Sequence, residues 1–282
     1  MIVQSAAENE PHFVILMKEH MDFAGQLARA FGNDEFAHLE PWDEMIYVVD
    51  HHDQGWAGWD AAPGLDAETR LPCHLLKTPR QEVLKTSYGS PDFNERHHSY
   101  CGLLSSMHIW GLYNGRYGMS DRVLINDIPD EYRARWDVML ADQLQRQARL
   151  KSQLANDPET AAWIEEPHLF QNYKQLQFFD TLALYFNMSH PGARKEAEFM
   201  HVPYSETRDG VVRVTPLDGG KYRVSPFPFN ADPLELRLEG RYLSPLGDGE
   251  EVTAADMIGA APAAHQTIVL VAGTKHLGRP LP

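Results

Sequence analysis

Three features of the chain predict an α+β fold: helical spacing of apolar residues between His20 and Asn187, alternation of apolar and polar residues after Val211, and two short apolar runs at the start. Apolar residues at every third or fourth position place one buried stripe on a helix, whereas strict alternation places one buried face on a strand. The expected architecture is a mainly helical bundle over residues 18–190. An antiparallel sheet, made by residues 1–17 and 208–282, completes a single domain spanning 1–282. A chain of 282 residues is long enough to bury a substantial core.

Residues 2–4 and 13–17 read as short strands on either side of a polar stretch. A helix is expected over residues 20–31, with Phe23, Leu27 and Ala30 on its apolar side and Gly32-Asn33 ending it. The next helix follows Pro41 and carries Met45, Val48, Val49 and His52 at i, i+3, i+4 and i+7, which turns His52 to the buried face with Asp53 beside it. Residues 60–94 are rich in Pro, Gly, Thr and Asp and read as a long loop with one short helix over 80–86. Helical spacing returns over 99–113, with Leu104 and His108 on one face. It continues over 129–154, where Pro129 suits a first turn and the charged residues form a solvated face. A last helical region runs from about 156 to 187 and stops at His190-Pro191-Gly192. Alternation then takes over in Val212-Arg213-Val214, Tyr222-Arg223-Val224, Leu234 to Leu238 and Thr267 to Val271, and Gly219-Gly220 marks a hairpin between the first two. The two N-terminal strands are expected to join this sheet.

The net charge of −15 argues against nucleic acid or an anionic membrane as partner, since both need a basic surface. Cys73 and Cys101 make no disulfide framework, which fits a reducing compartment. The start of the chain has no basic segment followed by an apolar one, and no apolar run is long enough to span a bilayer. A cytoplasmic location is therefore expected. There is no glycine-rich phosphate loop and no Gly-x-Ser-x-Gly nucleophile elbow.

The most informative segment is Val48-Val49-Asp50-His51-His52-Asp53-Gln54-Gly55-Trp56. A His-Asp doublet offers one cation a nitrogen and an oxygen from adjacent positions, and a carboxylate at the end of an apolar run needs compensation. Asp180 poses the same problem, because Leu176, Ala183 and Leu184 share its side of an apolar helix. A buried aspartate needs a partner, but an Arg, a Tyr or a helix N-terminus would serve as well as a metal. Taken singly, His20 reads as a helix-capping or surface residue and His108 as a buried neutral histidine. His51 is turned away from His52 by about a third of a turn. His97 and His98 precede the helix of residues 99–113. If one helix carried both His98 and His108 they would stand about 15 Å apart and could not share an ion. His74, His168, His190, His201, His265 and His276 have no supporting pattern.

Taken together, the order His20, His52-Asp53, His108, Asp180 resembles the metal-binding signature of the HD-domain superfamily. That resemblance implies an HD-like helical bundle pointing these five residues at one or two divalent ions (Fe, Mn, Zn or Ni). His97 or His98 would add the further histidine of dinuclear members. Gly55 fits the His-Asp-x-Gly context, but Trp56 stands where dinuclear members often have lysine. Over most of its length the chain also resembles an uncharacterised bacterial family, domain of unknown function 3891. This likeness rests on Glu19-His20 with Phe23 to Ala28, His52 to Trp56 with Trp59-Asp60, Leu104 to His108, and Pro226-Phe227-Pro228-Phe229.

The leading expectation is a metal-dependent hydrolase acting on a small phosphate ester or nucleotide. Asp53, with His108 or His98, would take part in catalysis, and Trp56, Trp59 and Asp60 would line the substrate pocket. One alternative is a di-iron oxygenase. Another is a non-enzymatic protein that binds a ligand or partner, with Tyr222, Phe227, Phe229 and Tyr242 as an interaction surface. A small-molecule substrate is expected, with homodimerisation left open.

Overall fold

A computed structural model describes residues 1–247 and 249–273. Its first strands, β1 (Ile2–Val3) and β2 (His12–Ile15), pair antiparallel. Helix α1 (Met17–Ala30) begins earlier than the apolar spacing suggests, because the Glu19 carboxylate accepts a 2.8 Å hydrogen bond from the Leu16 N–H and closes the first turn there. The remaining helices are α2 (Trp42–His51), the short α3 (Ala57–Ala61), α4 (Arg80–His97), α5 (Ser99–Tyr113), the single turn α6 (Gly115–Gly118), α7 (Asp130–Leu154), α8 (Pro158–Trp163) and α9 (Glu166–Met188). Strands β3 (Ala197–Ser205), β4 (Arg208–Pro216), β5 (Lys221–Ser225), β6 (Leu234–Leu243) and β7 (Ala264–Ala272) follow, with α10 (Ala254–Ala260) between the last two.

Both ends of the described chain enter one sheet of order β1-β2-β6-β7-β5-β4-β3, so the N-terminal strands do join it. Val212, Val214, Tyr222, Val224, Leu236, Leu238, Ile268 and Leu270 are buried and alternate with more exposed neighbours, as the period-two pattern requires. This buried face packs under α1 and α9, and α5 lies against α4, α7 and α9 on the far side.

Three expectations need correction. The sheet is mixed rather than antiparallel: β7 inserts between β6 and β5, runs antiparallel to β6 and parallel to β5. The sheet portion also starts before residue 208. Strand β3 escapes the alternation because a register shift between Phe199 and Val202 breaks it, with His201 at φ 57°. Finally, the helix expected over 80–86 runs on to His97. Its Gly89-Ser90-Pro91 stretch reads as a breaker, but Gly89 and Ser90 are packed against Gly55 and tertiary contact overrides propensity.

Arg194 fastens α9 to the sheet. Its buried guanidinium donates to Phe186 O (2.8 Å), the Tyr222 hydroxyl (2.5 Å) and Gln266 Oε1 (3.0 Å), its Nε donates to Ser189 O (3.1 Å), and its plane lies over the Phe186 and Tyr222 rings. Removing it takes the donors from the Ser189 carbonyl and the Tyr222 hydroxyl and empties the space over the Phe186 and Tyr222 rings. We expect Arg194→Ala to cost about 3 kcal/mol. Arg194→Lys should recover only part of that, because an ammonium cannot reproduce the fork. Denaturant midpoints measure both.

Candidate metal centre

Helix α9 carries a polar file through an apolar surface. Leu169, Tyr173, Leu176, Asp180, Ala183 and Asn187 follow one another at three- and four-residue steps, all buried, and Gln177 lies one turn from Asp180. Gln177, Asp180 and Asn187 each meet an imidazole brought by another helix. His20 comes from the first turn of α1, His52 from the C-terminal cap of α2, and His108 from the middle of α5. All three histidines are buried.

His20 Nε2 lies 3.4 Å and His52 Nε2 3.8 Å from Asp180 Oδ1, while Asp53 Oδ2 lies 3.7 Å from His52 Nε2. The His52 ring is 5.3 Å, centre to centre, from both the His20 and the His108 rings. Ligand-type atoms of His20, His52 and Asp180 form one group within 4.8 Å of each other, and those of His52, Asp53 and His108 form a second. These buried groups could hold a metal ion.

The hydrogen bonds behind the rings fix what faces the centre. His20 Nδ1 lies 2.6 Å from Asn187 Oδ1 and His52 Nδ1 lies 2.8 Å from Val49 O. Both oxygens only accept, so both Nδ1 atoms carry a proton, and each ring, when neutral, turns a bare Nε2 lone pair toward the Asp180 carboxylate. Neither Nε2 has a hydrogen-bond partner. Lone pairs facing a buried carboxylate repel unless a cation or proton lies between them, and oriented histidines with their other nitrogen so anchored are the usual metal arrangement. The third ring is set differently: Gln177 Nε2 donates to His108 Nδ1 at 2.7 Å, and Gln177 Oε1 has no partner. Turning that amide over would let its oxygen accept from Nδ1–H and free the His108 Nε2 lone pair.

Burial disfavours a charged His52, but Asp53 and Asp180 outweigh it and hold its pKa up at about 9. Burial would raise Asp180, yet the contacts of His20 and His52 hold its carboxyl well below the usual range. Burial dominates at His108, pushed down to about 4 and only partly offset by Asp180. His108 is thus neutral near pH 7 and has no imidazolium proton to give.

Asp53, His108 and Asp180 reach a cavity of about 280 Å³ whose walls include Trp56, Leu112 and Leu184. Gly55 sets the position of the doublet. Its N–H donates to Ser90 Oγ (2.9 Å), and a Cβ there would stand 2.4 Å from the Thr86 carbonyl oxygen, so only glycine lets this segment lie on α4.

His20, His52, Asp53, His108 and Asp180 are therefore brought together, and Trp56 lines the cavity beside them. Trp59 and Asp60 do not line it: Trp59 lies over Gly64, and Asp60 accepts from the Met17 N–H. His98 stays apart. It caps α5 by accepting from the Tyr100 N–H at 3.2 Å, and its ring lies against Trp163. His97 stacks on Tyr47. Tyr222 and Phe229 are core residues, Phe227 packs against the core, and Tyr242 is half-exposed. His276 lies outside the described residues. Sequence reasoning missed Gln177 and Asn187. Their signal is a polar residue three before and another seven after a buried aspartate on the same apolar helix.

The fold and the site define an α+β protein with a buried His/Asp centre that could hold a metal. Residues 1–245 match the family described as Protein of unknown function (DUF3891), and the chain belongs to that family. No curated protein and no solved structure matches it. Among the described residues no helix is long and apolar enough to cross a membrane.

Two outcomes follow from this geometry. Gly55→Ala should lower stability by about 1–3 kcal/mol, through forced displacement of the doublet from α4, as read by thermal melting. The metal-free protein should also lose stability at both ends of the pH scale. His52, raised from 6.5 to about 9, stabilises fully below pH 6.5, and that contribution disappears as pH rises through 9. His108, lowered from 6.5 to about 4, loses its contribution progressively as pH falls from 6.5 through 4, and Asp180, held well below the usual carboxylate range, loses its own as it is protonated in acid. Melting temperature against pH, with and without added divalent metal, should show that metal removes the alkaline decline.

Proposed function

We propose that this protein is a metal-dependent hydrolase of the HD type acting on a small phosphate ester or nucleotide. One observation carries the reading: two buried Nε2 atoms without hydrogen-bond partners converge with the Asp180 carboxylate beside a cavity. His20, His52, Asp53 and Asp180 would form the ligand set, which matches the order of the HD signature. When bound, a divalent ion supplies a water of lowered pKa and hence hydroxide near neutral pH.

The chain's own residues do the rest. Asn187 and the Val49 carbonyl hold the two imidazoles in the tautomer that offers Nε2. Asp53 and Asp180 both stand at the cavity wall, so a bound ion would be reachable from the cavity. The neutral His108 can orient a reacting oxygen by hydrogen bonding rather than by giving up an imidazolium proton. Apolar walls, with Trp56 among them, exclude bulk water and receive the organic part of a small substrate.

The residues favour one ion over two. His52 Nε2 has a single lone pair yet belongs to both ligand groups, so these are overlapping parts of one centre. A second ion, as in the di-iron oxygenase alternative, would need another histidine beside His108, and His98 is engaged at the cap of α5. Mixed imidazole and carboxylate donors suit Mn, Fe, Zn or Ni.

Protein purified without chelators should contain about one divalent ion per chain by elemental analysis. His52→Ala and Asp180→Asn should lose it, together with any phosphomonoesterase or nucleotidase activity. Intact wild-type protein that neither carries nor takes up a divalent ion would overturn the proposal.

A further inference from the structure

Four successive residues, Gly115, Arg116, Tyr117 and Gly118, take positive φ values of 61°, 51°, 58° and 87°. Glycine accepts this conformation freely, but arginine and tyrosine do so at a cost, and consecutive non-glycine residues in it are uncommon. Tyr117 shows what holds the turn. Its ring packs against Trp110, Phe170 and Tyr173 at 4.6–5.3 Å between centres, and its hydroxyl donates to Gln147 Oε1 at 3.2 Å. Gly111 makes room for this cluster, since a Cβ there would stand 2.0 Å from the Tyr173 hydroxyl. Tyr117 is thus anchored, while nothing comparable anchors its neighbour.

Arg116 makes no hydrogen bond or ion pair through its guanidinium among the described residues. Arg122, on the same cavity, is by contrast neutralised by Asp127 at 2.6 Å. Arg116 lines the cavity that reaches Asp53, His108 and Asp180, and also a second cavity of about 280 Å³ lined by Gln177 and Thr181. Arg116 thus holds an unpaired guanidinium on strained backbone at the wall of a His/Asp centre. Backbone strain that surrounding packing maintains is a pointer to function.

We propose that Arg116 is the specificity residue of the site and binds the oxyanion of the substrate, a phosphate or carboxylate carried on a small apolar body. This rests on the hydrolase reading and adds to it the residue that recognises the substrate's oxyanion. The guanidinium fork matches two oxygens of such an anion. The apolar walls fit the remainder, and a volume of about 280 Å³ keeps it small.

The test titrates inorganic phosphate, and separately acetate, into wild type, Arg116→Gln and Arg116→Gly by calorimetry, with metal content and melting temperature measured on the same samples. Phosphate should bind wild type, and both variants should bind it at least tenfold more weakly at unchanged metal content. Arg116→Gly should also melt about 2 °C higher, because it relieves the positive φ. Binding of acetate in place of phosphate, with the same dependence on Arg116, supports the oxyanion site and assigns it to carboxylates. Equal affinity in all three proteins, or no anion binding to wild type, overturns the inference while the measured metal content still decides the hydrolase reading. Binding that depends on Arg116 in a protein free of metal sinks the hydrolase reading alone.

Discussion

The carboxylate of Asp180, held inside the α9 surface with almost no exposure, is the constraint on which the rest depends. A buried charge of this kind is tolerated only when opposite charge or donors surround it. Here the surroundings are imidazoles with their donor side turned away. His20 and His52 spend their Nδ1 protons on Asn187 and Val49, so what they present to Asp180 is a lone pair or, if protonated, a positive charge. The arrangement is incomplete without a cation, whether one proton or one metal ion. Helices α1 and α2, with the cap that follows α2, are placed accordingly, since each must deliver a ring to within 4 Å of one oxygen atom.

That demand propagates outward. Helix α9 can hold Asp180 steady only if its own position is fixed, and Arg194 ties its C-terminal end to β5 and β7 through Tyr222 and Gln266. Gln4 adds a second tie, donating to the same Phe186 carbonyl that Arg194 uses. The sheet drawn from both ends of the described chain thus serves the centre indirectly, as the platform on which α9 and α1 lie. On the far side, the contact of Gly55 with α4 sets the height of the His52-Asp53 doublet. The doublet is held between a helix that carries its charge partner and a helix it touches through backbone.

Much of this is legible in the sequence because burial is periodic. The spacing of Met45, Val48, Val49 and His52 places His52 inward, and the apolar neighbours of Asp180 do the same for that aspartate. The sheet residues alternate clearly wherever a strand pairs regularly. Legibility fails where tertiary contact replaces local pattern. Residues 87–91 of α4 read as a loop because glycine, serine and proline are weak helix formers, and they are helical because they pack on Gly55. Strand β3 hides behind its register shift. The parallel β5–β7 pair is invisible because strand order is a property of the assembled sheet. Among the site residues, Asp60 and Trp59 lie close to the doublet in sequence but serve the scaffold. Gln177 and Asn187 lie far from it in sequence and orient the His108 and His20 rings. Proximity along the chain is a poor guide once a site is assembled across helices.

The electrostatics of the centre also say what kind of exchange it supports. A proton on His52 satisfies Asp53 and Asp180 together, which is why its pKa stands near 9 although burial opposes the charge. A divalent ion held by Asp53, Asp180 and His52 would answer the same two carboxylates and could also take the lone pair of His20, which a single proton on His52 leaves without a hydrogen-bond partner. Ion and proton would therefore compete for one place, and the ion would answer more of the buried groups. His108 does not join that competition. With its pKa pushed down to about 4 it stays neutral in either state, and its tautomer is set by which end of the Gln177 amide faces it. The centre thus separates into a charged half, His52 with Asp53 and Asp180, and a neutral half, His108, and the cavity is reached from both, by the two carboxylates and by His108.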